Sequence, residues 1–116
     1  MMAGVDSLPV AEKVAFRRKS IRVMGDLVSL ATLMIRAEDY PRGRDNFFLP
    51  ARKIWFMFGG TIKRFDAGLG NDLEARFNAI KTVLEQQSPN PSSLVASLST
   101  LNQLMETAVK MSDERI

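Results

Sequence analysis

The sequence predicts an all-α protein: a four-helix bundle in up-down-up-down order with a long first helix, forming a single domain over residues 1–116. Three observations predict it. Apolar residues recur at helical spacing in four segments. Three short breaks separate those segments: "YPRGRD" (40–45), "DAGLGN" (66–71) and "SPNPSS" (88–93). They are rich in the proline, glycine, asparagine and serine that turn a chain or stop a helix. No segment shows the period-two alternation of a strand.

The first helix is expected over about residues 9–39. At 100° per residue, Phe16, Ile21, Val23, Met24, Leu27, Val28, Ala31, Met34 and Ile35 fall on one half of the wheel. Arg18, Arg22, Asp26, Ser29 and Arg36 fall on the other. A continuous helix of this length is about 45 Å long, with Gly25 as its weak point. The second is expected over about 46–66, capped by Asp45 or Asn46, with Pro50 tolerated in its first turn. The third is expected over about 72–87, with Asn71 as cap and Glu74 reaching back to it. Leu73, Phe77, Ile80 and Leu84 follow at helical spacing. The fourth is expected over about 91–111, with Pro91 at its first position. Its seam is Leu94, Leu98, Leu101, Met105 and Ala108. Methionines 24, 34, 57, 105 and 111 are expected as core filler.

Composition removes much chemistry. There is no cysteine and no histidine. That excludes a Ser-His-Asp triad, a disulfide framework and any zinc site built on thiolate or imidazole. No Glu-x-x-His pair is present to hold a di-iron centre, and neither "GLGND" nor "FGGT" makes a nucleotide loop. The adjacent carboxylates of "AED" (37–39) diverge on a helix. A non-enzymatic protein without cofactor or metal is therefore expected. No run approaches the roughly 20 apolar residues of a membrane span, and "MMAGVDSLPVAEK" lacks the apolar core of a secretory signal. It is compatible with the mature end of a processed precursor.

Charge is uneven. Residues 1–81 hold 14 basic and 9 acidic side chains, net +5; residues 82–116 hold 2 and 4, net −2, giving the chain its +3. A basic half steers a protein toward an acidic partner. Two stretches are candidates for partner binding. "KVAFRRKSIR" (13–22) clusters Lys13, Arg17, Arg18, Lys19 and Arg22. Because Lys13 and Arg17 lie within the apolar arc, this helix end is expected to extend past the bundle or to lie at its rim. The cluster reads as an electrostatic docking arm or as a solvated helix end. Nucleic acid is a possible target of clustered arginines, although no nucleic-acid motif accompanies them.

The second candidate is "RKIWFMFGGTIKR" (52–64). Phe47, Ala51, Ile54, Trp55, Phe58, Ile62 and Phe65 form the core arc. Phe56 falls amid the basic side marked by Arg52 and Lys63, in a narrow stripe with Leu49 and Gly60. An aromatic beside a glycine notch, ringed by basic residues, has the character of an interface anchor. Alternatively, a neighbouring helix covers this side, or the two glycines interrupt the helix.

The long first helix ends in "LVSLATLMIRAEDY" (27–40), and the arginine-bearing "NFFLPARKIWFMFGGTIKRF" (46–65) follows, with two further amphipathic helices. This order resembles the PsbQ-like extrinsic subunits of photosystem II over roughly residues 20–110. The third helix lacks the Leu-Asp-x-Ala-Ala pattern of that family. The resemblance implies a four-helix accessory subunit in the thylakoid lumen, without catalysis, docking basic residues on a membrane complex. No contact residue carries over from it. The alternative is a basic helical adaptor or nucleic-acid-associated protein.

Overall fold

The computed structural model describes residues 10–86 and 90–115, apart from the Pro91 side chain. The chain forms α1 (Val10–Arg36), a single turn α2 (Tyr40–Arg42), a π turn (Gly43–Phe48), α3 (Leu49–Phe65), α4 (Ala67–Leu84) and α5 (Pro91–Arg115). There is no strand among the described residues. The all-α four-helix expectation holds, with α2 and the π turn leading straight into α3.

The pairings between neighbouring helices are consistent with antiparallel packing. Arg22 meets Asp113 and Ser29 meets Asn102 between α1 and α5. Phe16 lies 5.8 Å from Phe58 between α1 and α3. Lys63 meets Glu74 between α3 and α4. These contacts have the pattern of an up-down-up-down bundle.

Each boundary has a local cause. The first helix stops at Arg36, three residues short of expectation. Glu38 adopts φ 61°, its N–H donates to the Ile35 carbonyl at 2.9 Å, and the Asp39 N–H donates to Met34 at 2.9 Å. That pair of bonds is a Schellman stop, with glutamate where glycine is usual. The expected break at 40–45 is helical. Asp39 accepts from the Arg42 N–H, and Pro41 sits in the first turn, where its missing N–H costs nothing. Pro50 therefore lies well inside a helical run rather than at its start. A proline there cannot bond the carbonyl four residues back and crowds it. The π turn widens the chain just before it, where the Leu49 N–H donates to Arg44 five residues back.

The "DAGLGN" break is also shorter than expected. Only Asp66 leaves the helix; its carboxylate caps the Leu69 N–H at 3.0 Å, so α4 starts at Ala67 and Asn71 is not the cap. Asn90 caps α5 through the Ser93 N–H at 3.1 Å, and Pro91 opens the helix as expected. The helix continues to Arg115, past the expected end near residue 111. The last residues expected in the third helix, about 85–87, leave it: α4 ends at Leu84, Glu85 and Gln86 turn, and residue 87 lies outside the described residues.

The core follows the predicted seams. Ile21, Met24, Val28, Ala31 and Ile35 of α1 are fully buried, and so is the α5 seam from Leu94 to Ala108 to within 2%. Phe77 joins α4 to Trp55 and Phe48, with ring centroids 5.8 and 5.7 Å apart. Ser112 continues the α5 seam by one step and is fully buried, its hydroxyl without a hydrogen-bond partner. One polar network fixes how α1 lies on α5. Asn102 donates to the Thr32 hydroxyl at 2.8 Å, Thr32 donates to the Val28 carbonyl at 2.8 Å, and Ser29 donates to Asn102 at 3.1 Å. Thr32, the buried member, has its hydroxyl paired on both sides, which offsets its desolvation, while half-buried Asn102 and exposed Ser29 carry the network out to the surface. α1 passes Gly25 without a break.

Candidate docking surface

α3 carries four basic side chains, Arg52, Lys53, Lys63 and Arg64, and no carboxylate. Its inward arc is as expected: Ala51, Trp55, Phe58 and Ile62 are buried, with Phe47, Ile54 and Phe65 packed against them. Outward stand Lys53, Phe56, Met57, Gly60 and Arg64, all exposed. Phe56 is 64% exposed, the most exposed aromatic ring of the described residues.

Phe56 is held from one side only. The Arg52 guanidinium lies 4.5 Å from its ring centroid, in cation–π range. Arg52 is in turn anchored by donating to the side-chain amide oxygen Oδ1 of Asn78 on α4 at 3.1 Å. A hydrogen-bonded arginine thus supports a ring that stays 64% exposed. The contact restricts the ring before any partner arrives, which reduces the ordering cost of binding.

The two glycines of "FGG" have different causes. A Cβ on Gly59 would lie 2.8 Å from the Trp55 ring, so the indole occupies the space a side chain would need. A Cβ on Gly60 would meet nothing within 4 Å. Gly60 is an exposed glycine in a helix interior, where alanine is about 1 kcal/mol more favourable. No packing among the described residues requires it.

The other residues singled out by sequence divide clearly. Leu49 is half-buried and packs on the core, so it does not join the outward stripe. Lys63 donates to Glu74 at 2.6 Å and ties α3 to α4. In the basic cluster, Arg17 and Arg18 are half-buried, and Arg22 is paired with Asp113 at 2.6 Å. Lys19 is exposed and forms no ion pair among the described residues. This helix end lies at the rim rather than free of the bundle. Arg22 stands opposite the last turn of α5, and Phe16 rests on Phe58 of α3.

Sequence reading missed two features. Phe16 and Val23, assigned to the apolar half of the wheel, are each 39% exposed, and Met57, assigned to the core, is 46% exposed. The residues of α1 that are buried, Ile21, Met24, Val28, Ala31, Thr32 and Ile35, span only about 100° of the wheel rather than half of it. The second missed feature is a groove of about 600 Å³ between α1 and α5, floored by Gly25, Met105 and Val109. Its rim mixes Arg22 and Lys110 with Asp26, Glu106, Asp113 and Glu114. Among the described residues, no three acidic side chains converge as a metal site would need, and no helix is long and apolar enough to cross a membrane.

No family model matches the chain, and no curated protein or solved structure does.

Proposed function

We propose that this protein is a non-enzymatic interaction subunit of a larger assembly, docking through the outward face of α3. One observation carries the reading. Phe56 and Gly60 stand side by side on that face, and neither is needed by the fold. An exposed phenylalanine and an unpacked helical glycine both oppose solubility and stability. A partner whose backbone or ring closes over the Gly60 notch makes use of both. Lys53 and Arg64, with no carboxylate on the helix, favour an acidic rim around that partner's apolar pocket.

The resemblance to extrinsic photosystem subunits supplies one specific form of this reading, a basic subunit on the surface of a photosynthetic membrane complex. That form predicts release from thylakoid membranes in a high-salt wash, since contacts between exposed charges weaken as salt rises.

The test compares the wild type with Phe56→Ala in co-purification from the native source. The variant is expected to keep wild-type helicity and to remain within about 0.5 kcal/mol of wild-type stability, as surface substitutions do. Its co-purifying partner is expected to fall by about tenfold or more, as for a central anchor. Full partner recovery with Phe56→Ala would refute the docking face. Retention on duplex DNA or RNA at low salt, lost in the variant, would reassign the face to nucleic acid.

A further inference from the structure

We infer that α1 carries a second, independent interaction surface, and that its partner is another copy of this chain lying antiparallel across Val23. The observation is a second seam on α1. The core seam uses Ile21, Met24, Val28, Ala31 and Ile35. Beside it runs Phe16, Ser20, Val23, Leu27, Leu30 and Met34, stepping by four and three as a coiled-coil seam does. Leu27 turns toward the core and packs on it. Phe16, Val23 and Leu30 stay 39, 39 and 40% exposed, seven residues apart. At its N-terminal end the seam abuts α3, where Phe16 lies 5.8 Å from Phe58 and Ile54, one turn before Phe58, packs on the core.

Charge selects the occupant and its direction. Lys19 and Asp26 flank this seam on one side, also seven residues apart; both are exposed, and neither forms an ion pair among the described residues. In a parallel pair of α1 helices, the twofold would set this flank of one copy on the opposite side of the seam from that of the other, so Lys19 and Asp26 would not meet. In an antiparallel pair centred on Val23, Lys19 of each copy lies beside Asp26 of the other, and Phe16 lies over Leu30. The same operation satisfies both the apolar and the charged residues, as a self-complementary twofold contact requires. The strip is long enough: α1 runs about 40 Å, and a stable interface takes about 800 Å² per partner, roughly one eighth of the chain's 6685 Å² surface.

Sedimentation equilibrium of the full chain tests this, with circular dichroism confirming that each variant folds. The wild type is expected to dimerise at or below about 100 µM. Val23→Glu, Lys19→Glu and Asp26→Lys are each expected to weaken the dimer by about tenfold or more. Lys19→Glu mixed with Asp26→Lys is expected to associate again, because every cross-pair between the two variants is attractive. Phe56→Ala should leave the dimer unchanged, which keeps this surface distinct from the α3 face. A wild type monomeric at about 100 µM, a dimer indifferent to Val23→Glu, a mixture no tighter than its components, or loss of the dimer with Phe56→Ala would each overturn the proposal.

Discussion

Gly59 and Gly60 are neighbours in sequence and opposites in the fold. Gly59 is buried under Trp55, with no room for a methyl group. Gly59→Ala is therefore expected to destabilise the protein by about 1–3 kcal/mol, the range for overpacking a filled core. Gly60→Ala is expected to stabilise it by about 0.5–1 kcal/mol, while partner recovery falls. Urea denaturation separates the two outcomes. If both substitutions destabilise, Gly60 is a fold residue and not part of a docking notch. At this scale the sequence told half the story. Helical spacing placed Phe56 opposite Trp55 and Phe58, because face membership follows from the 100° step alone. It could not tell the glycines apart, since only the position of the indole shows which one has no room. Nor could it show that Lys63 and Arg22 find carboxylates on other helices.

The ends of the helices show the same division. Prolines, Asn90 and Asp66 fixed where turns occur, but the sequence overstated how long the turns are. "YPRGRD" and "DAGLGN" look like loops by composition, yet their caps let helices start almost at once. The π turn was not legible either, because nothing in "GRDNFF" alone announces an extra residue per turn. It becomes intelligible only once Pro50 is seen inside the run. Glu38 closes the first helix in a conformation that glycine would adopt more cheaply. It holds φ 61°, a conformation that costs a residue with a Cβ about 1 kcal/mol, and it is exposed, with no side-chain hydrogen bond or ion pair among the described residues. Glu38→Gly should relieve that strain, partly offset by a more flexible unfolded chain, for a net gain of about 0.5–1 kcal/mol. A loss of stability in thermal denaturation would mean that the glutamate side chain is itself engaged.

For the whole molecule, charge sets the pH dependence. The hydrogen bond from Arg44, through contacts of 2.8 and 3.3 Å, holds the Asp45 carboxyl below its usual range. The hydrogen bond from Lys81 does the same for Glu85. Each binds its proton more weakly folded than unfolded. Their contribution is thus whole above about pH 4.5, the ordinary carboxylate range, and is lost as pH falls through the lower folded values. No histidine titrates nearer neutrality. The thermal midpoint is expected to hold between about pH 6 and 9 and to fall below about pH 4. A step near pH 6.5 would contradict this assignment. The fold class and the core seams were legible in the sequence because four amphipathic segments joined by short breaks have few other ways to bury themselves. The second seam of α1 was hidden by its closeness to the first. A wheel shows that both are apolar, but only the packing shows which one remains uncovered.

The contact between first and last helices also sets an order in time. Arg22 and Asp113 are 91 residues apart in sequence, and Ser29 and Asn102 are 73 apart. The α1–α3 and α3–α4 pairs close over shorter spans and can form while the rest of the chain is still on the ribosome. The α5 side of α1 cannot be covered until the last helix has been made. α1, made before the three helices it packs with or near, therefore waits longest for its final neighbour, with apolar residues exposed on two of its sides throughout that interval.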